Sequence, residues 1–180
     1  YVEARSGNTA RASRFFPARC ERDALTYRVT TPIGGTSPVV INELVASNIA
    51  TAADPQGEFE DYVELRNVTD QEVDLSGKYL SDEPSNPRKW SFPQGTTIPA
   101  GGFLIVWLDE DSTVTPGLHA SFKLDKEGES LALVDTDANL NLLLDSTTFG
   151  LLGADEAWAR PAGSPTLFQI QAPSPGAANP

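Results

Sequence analysis

The chain has no methionine, one cysteine and one histidine in 180 residues. Each shortage removes a class of chemistry. Cys20 has no partner with which to close a disulfide, and a single thiol cannot build a thiolate metal centre, so the fold must rest on its core alone. A lone cysteine suits either the cytosol or the many secreted proteins that manage without disulfides. With His119 as the only imidazole and no G-x-S-x-G elbow, a serine triad lacks its parts. No Cys-His pair, zinc-ligand spacing or dinucleotide fingerprint occurs, and Gly77-Lys78 is followed by Tyr79 where a phosphate loop needs Ser or Thr. No catalytic or cofactor-binding residue is therefore assigned, and His119 is read as a structural, hydrogen-bonding residue. Runs of the roughly 18 apolar residues that a membrane span requires are also missing. A chain that opens at Tyr1 without methionine reads as a piece of a longer protein, with any signal peptide upstream.

Positive charge is scarce as well: 13 Lys and Arg face 25 Asp and Glu, for a net charge of −12. Residues 1–31 hold six Arg against Glu3, Glu21 and Asp23, a balance of +3. The remainder keeps seven basic against 22 acidic residues, a balance of −15. Such a surface repels phosphate backbones, whose binding depends on Lys and Arg displacing counterions, so nucleic acid is not an expected partner.

What the chain has is a succession of short runs of β-branched, aliphatic and aromatic residues, separated by Gly, Pro, Asn, Asp and Ser. That is the pattern of an all-β sandwich or barrel. Strands are predicted at Val39–Val45, Asp61–Arg66, Glu72–Leu75, Lys78–Leu80, Lys89–Phe92, Phe103–Leu108, Ser130–Val134, Leu142–Phe149, Ala157–Arg160 and Leu167–Ile170. Phe103-Leu-Ile-Val-Trp-Leu108 is apolar on both alternating faces and is placed at the centre, between two layers. In Asp61–Arg66, Val63 and Leu65 share one face while Tyr62, Glu64 and Arg66 share the other, as in a half-buried strand. Ser47–Ala53 offers at most one or two turns of helix before Asp54-Pro55. Pro99-Ala-Gly-Gly102 makes a tight entry into the central strand, with Pro fixing φ and Gly supplying a positive one. Trp90 and Phe92 lie on one side and are expected to cap the core against Trp107. Gly34-Gly-Thr-Ser-Pro38 reads as a linker, dividing an appendage (1–37) from a main domain (38–180).

Several blocks keep a fixed order along the chain: Val40-Ile-Asn-Glu-Leu-Val-Ala-Ser-Asn48, Asp61-Tyr-Val-Glu-Leu-Arg-Asn67, Val73-Asp-Leu-Ser-Gly-Lys-Tyr-Leu-Ser-Asp82, Lys89-Trp-Ser-Phe-Pro93, Thr97-Ile-Pro-Ala-Gly-Gly102, Gly117-Leu-His119, Phe122-Lys-Leu124, Gly128-Glu-Ser-Leu-Ala-Leu133 and Pro175-Gly-Ala-Ala-Asn179. Together they resemble the lamin tail domain, an immunoglobulin-like sandwich of animal lamins and many bacterial proteins. The bacterial form is especially similar. The resemblance implies an antiparallel, immunoglobulin-like β-sandwich with no enzymatic activity. It also implies an interaction, adhesion or structural module of a larger secreted or cell-surface bacterial protein, whose partner is a protein or extracellular component. The alternative is an accessory domain of an extracellular hydrolase or kinase-like enzyme with its catalytic part upstream. Residues 1–31 lie outside the resemblance: they are either the end of an upstream domain or supply an extra edge strand, Leu25-Thr-Tyr-Arg-Val29.

The abundant reactive groups are carboxylates, in Asp54-Pro-Gln-Gly-Glu-Phe-Glu-Asp61 and Asp109-Glu-Asp111. A glycosidase pair would need two of them about 5 to 10 Å apart across a sugar cleft, and no feature of the sequence sets them so. They are read as solvated charges. The alternative is calcium held by Asp54, Glu58, Glu60 and Asp61, although EF-hand spacing is absent. Asn67-Val-Thr69 fits a glycosylation sequon and is treated as coincidence. Glu64 and Asn67 are expected to tie a strand end to a neighbouring loop.

Overall fold

A computed structural model describes residues 37–180; the expected edge strand Leu25–Val29 and the reading of residues 1–31 lie outside them. Twelve strands follow one another: β1 (Val39–Val45), β2 (Asp61–Asn67), β3 (Val73–Asp74), β4 (Tyr79–Ser81), β5 (Trp90–Ser91), β6 (Thr97–Ile98), β7 (Phe103–Leu108), β8 (His119–Ala120), β9 (Ser130–Val134), β10 (Leu143–Thr148), β11 (Ala157–Ala159) and β12 (Gln169–Gln171). They form a six-stranded sheet in the order β12-β11-β1-β2-β7-β8, a four-stranded sheet β10-β9-β4-β5, and the small pair β3-β6. Every pairing is antiparallel except β7 with β8. The all-β, immunoglobulin-like sandwich is therefore present, built from the expected strands plus β6 and β8, whose two residues each are too short for an alternation to be read.

One core joins the sheets. Ile41, Val63, Leu65 and Val106 come from the large sheet, Leu80, Leu131 and Leu133 from the four-stranded one, and Ile98 from the small pair. Strand β1 feeds this core from both parities of its sequence because its register shifts between Ile41 and Glu43. The extra residue swaps the faces, so Val39 and Ile41 point inward before it and Leu44 and Ala46 after it, as a β-bulge requires. The turn into β7 is as expected, with Gly101 at φ 65° and the Gly102 N–H donating to the Pro99 carbonyl at 2.9 Å.

Three expectations need correction. Ser47–Ala53 is not helical. Side chains compete for its backbone groups: Asn48 Oδ1 accepts from the Thr51 N–H, and Asp155 Oδ1 accepts from the N–H groups of Ile49, Ala50 and Thr51, a local alternative to the helical ladder. Trp90 and Phe92 are buried as expected and meet edge to face at 4.9 Å, but not against Trp107. Trp107 lies on the opposite face of β7, edge-on to Tyr62 at 5.7 Å, in a second cluster with Val45, Ala157 and Ala159. Strand β7 is also not central throughout, since β8 pairs only with Trp107 and Leu108, and the first half of β7 is partly exposed.

That second cluster explains why β2 is buried on both faces. Its outer face carries Tyr62 and Glu64, and both are fully buried. The covering is a C-terminal strap, residues 172–180. Glu43 accepts hydrogen bonds from the Tyr62 hydroxyl at 2.7 Å and from the Ser174 N–H at 3.0 Å. Glu64 accepts from Asn42 Nδ2 at 2.7 Å and from the Gly176 N–H. Asn179 Nδ2 donates to the carbonyls of Asn42 and Arg160, both at 2.9 Å. Burial pushes Glu64 up to about 7 and holds Glu43 above its ordinary range, against these hydrogen bonds. At the other end of β2, Asn67 Nδ2 donates to the carbonyls of Gln71, Ile98 and Pro99. Both expected ties are thus present, and with Asn67 0% exposed its amide cannot accept a glycan in the folded chain.

Candidate functional site

Among the described residues, the four carboxylates considered for calcium do not gather into one cluster. Asp54 Oδ1 caps its own loop, accepting from the N–H groups of Gln56 at 2.9 Å and Glu58 at 2.8 Å. Glu58 is exposed. Glu60 pairs with Lys123 at 3.3 Å. Asp61 opens β2 and accepts from the Leu124 N–H at 3.2 Å, and burial raises its pKa to about 6. The loop shape follows from the sequence: an Asp at its start bonding the second and fourth residues onward is the local Asx arrangement, with Gly57 completing the turn.

The structure instead gathers Asp54 with Asp109 and His119. One oxygen of each carboxylate and one ring nitrogen lie within 4.8 Å of one another. Three elements deliver them: Asp54 from the β1–β2 loop, Asp109 from the residue after β7, and His119 from the first residue of β8. The parallel register Trp107↔His119 and Leu108↔Ala120 returns the intervening loop to its origin, so two residues ten apart become neighbours. His119 Nδ1 faces Asp109 Oδ2 at 2.5 Å, and Nε2 faces the Pro116 carbonyl at 3.3 Å. Burial disfavours the charged ring, but the bonds to Asp109 and Pro116 and the fields of Asp109 and Asp54 outweigh it, so the His119 pKa is raised. Gly117 is required beside the ring: a Cβ there would come within 2.6 Å of Nε2, and its φ is +118°.

The ring backs a surface cleft of about 330 Å³ between Trp90, Ser91 and Pro93 on one side and Ser112, Val114 and Thr115 of the β7–β8 loop on the other. No nucleophile with an adjoining base lines it. Its walls mix polar and apolar side chains. His119 opens strand β8 and has the hydrogen-bonding role read from the sequence, toward Asp109 and Pro116. Asp109 was read as one of three solvated charges. Its involvement depends on a parallel pairing for which no periodicity gives a signal.

The lamin tail domain family model matches residues 34–150, which contain Asp54, Asp109, His119 and the whole cleft. No curated protein matches the chain. Domains of this family are immunoglobulin-like interaction or structural modules, generally without catalysis. With the family model covering well over half of the chain and the sandwich that the family implies present, this chain belongs to the lamin tail domain family.

Proposed function

We propose that residues 38–180 serve as a non-catalytic interaction module of a larger secreted or cell-surface bacterial protein, contacting a protein or other extracellular component. The observation that carries this reading is the cleft between Trp90 and the β7–β8 loop, a recess on the surface of the sandwich. Loops positioned by a scaffold are where β-sandwiches make contacts. The balance of −15 over residues 32–180 supports a cationic or neutral partner surface over nucleic acid.

The test has two arms. Protease added to intact source cells should cleave the full-length protein, and the isolated chain should bind those cells or their matrix saturably. Val114→Asp, which places a charge in the cleft wall, should weaken that binding at least tenfold with the fold intact by circular dichroism. Complete protection from external protease, or binding indifferent to Val114→Asp, would overturn the reading.

A further inference from the structure

We infer that Asp54, Asp109 and His119 form a binding site for one divalent transition-metal ion of the zinc class, which staples the β1–β2 loop to the β7–β8 loop. The inference is independent of the interaction reading. Its first support is burial. Asp54 is 7% exposed and His119 3%, and the Asp109 side chain is 8% exposed. Acidic side chains left to solvent point away from one another; these converge in the protein.

The second support is the arrangement of lone pairs. The Nε2 atom faces the Pro116 carbonyl, which can only accept. In the neutral tautomer that donates to this carbonyl, Nδ1 presents a lone pair toward Asp109 Oδ2, another acceptor, at 2.5 Å. In that tautomer a cation, either a second ring proton or a metal ion, lies between them. Metal-bound imidazoles commonly donate their other N–H to a backbone carbonyl or carboxylate, which fixes the tautomer.

The carboxylates are prepared in the same way. Asp54 Oδ1 is held by the Gln56 and Glu58 N–H groups, and Oδ2 has no hydrogen-bond partner among the described residues. Asp109 Oδ1 is held by the Asp111 N–H at 3.0 Å, leaving Oδ2 to face the ring. Each carboxylate thus has one oxygen fixed by its own loop, while Asp54 Oδ2 carries no hydrogen bond among the described residues and Asp109 Oδ2 faces the ring alone. Among the described residues, no Lys or Arg pairs with either Asp54 or Asp109. One proton on the ring balances one of the two negative charges; a divalent ion balances both.

The donor set selects the metal. One imidazole nitrogen with two carboxylate oxygens suits zinc and its neighbours, whereas calcium takes about 6 to 8 oxygens. Bonds of about 2.0 to 2.2 Å in a tetrahedral site keep ligand atoms about 3.3 Å apart, so ring and carboxylate need part by less than about 1 Å.

Because His119 is the chain's only histidine, its ring can be watched by nitrogen-15 NMR without mutation. The full chain carrying Cys20→Ser, stripped with chelator and desalted, should bind zinc chloride one to one at pH 7.5 by calorimetry. Nδ1 should take a metal-bound shift while Nε2 keeps its proton. A hundredfold zinc excess should raise the melting temperature by several degrees, and calcium at the same ionic strength should not. Asp54→Asn should weaken zinc binding at least tenfold; Glu58→Gln and Glu60→Gln should leave it unchanged. The NMR readout stands even if Asp54→Asn fails to fold. No saturable binding up to 1 mM zinc, an unmoved Nδ1 signal, or full affinity in folded Asp54→Asn would each overturn the inference and leave a proton as the ring's only cation.

Discussion

Glu64 offers the sharpest test of how the outer face of the sheet is held. Its carboxylate is fully buried, and burial moves it from an ordinary 4.5 to about 7. A carboxyl whose folded pKa lies above its unfolded value binds its proton more tightly when folded. Its stabilisation is complete below about pH 4.5 and is lost as pH rises through about 7. The difference corresponds to a loss on the order of 3 kcal/mol between pH 5 and pH 8. Glu43, Asp61 and His119 are also raised and act with the same sign. Asp135 and Asp155 are lowered from 3.8 and act only at more acid pH. The chain should therefore be more stable at pH 5 than at pH 8. Glu64→Gln can keep an acceptor toward the Gly176 N–H and turn its amide to a rotated Asn42, so it should match the parent at pH 5 and exceed it at pH 8. Urea unfolding followed by tryptophan fluorescence at constant ionic strength measures both. A parent stability that is flat or rising from pH 5 to pH 8, or a Glu64→Gln variant with the parent's pH slope, would refute the reasoning.

Asn67→Ala should cost about 2 to 3 kcal/mol in urea unfolding, because it strands the buried Ile98 carbonyl and two neighbours that Nδ2 serves; by mass spectrometry, the chain secreted from a glycosylating host should carry no sugar at Asn67. Leu133→Ala, at a fully buried point where β9 meets β4 and β10, should cost about 2 to 5 kcal/mol by the same assay. Gly117→Ala should lower the melting temperature by several degrees in calorimetry, since the new Cβ would press on His119 Nε2 at 2.6 Å from a left-handed backbone.

Alternation and turn residues carried most of the strands, because Val63, Leu65, Leu131 and Leu133 face one core and repeat every second residue. The exceptions have physical causes. The bulge at Asn42 breaks the alternation of β1, so its inward residues change parity. Tyr62 and Glu64 look like a solvent face until a segment more than a hundred residues away covers them. The helix expected at Ser47–Ala53 gives way to side-chain bonds from Asn48 and from the distant Asp155. At the site, Asp54 was among the carboxylates considered, but its companions Glu58, Glu60 and Asp61 were adjacent only in sequence. Asp109 and His119 join it through the β7–β8 pairing, a tertiary event with no local periodicity.

The strap also sets when this domain can finish folding. The Ser174 donors to Glu43 lie 131 residues further along the chain, and the Gly176 N–H lies 112 beyond Glu64. Strand β1 gains its second neighbour only when β11 exists. During synthesis, β1 and β2 emerge with two glutamates in what will be an apolar interior and with an open sheet edge. That nascent state favours hydrated carboxylates over burial, and pairings of such long sequence separation form slowly. The outer face of the sheet can therefore close only once residues 174–179 are available to cover it.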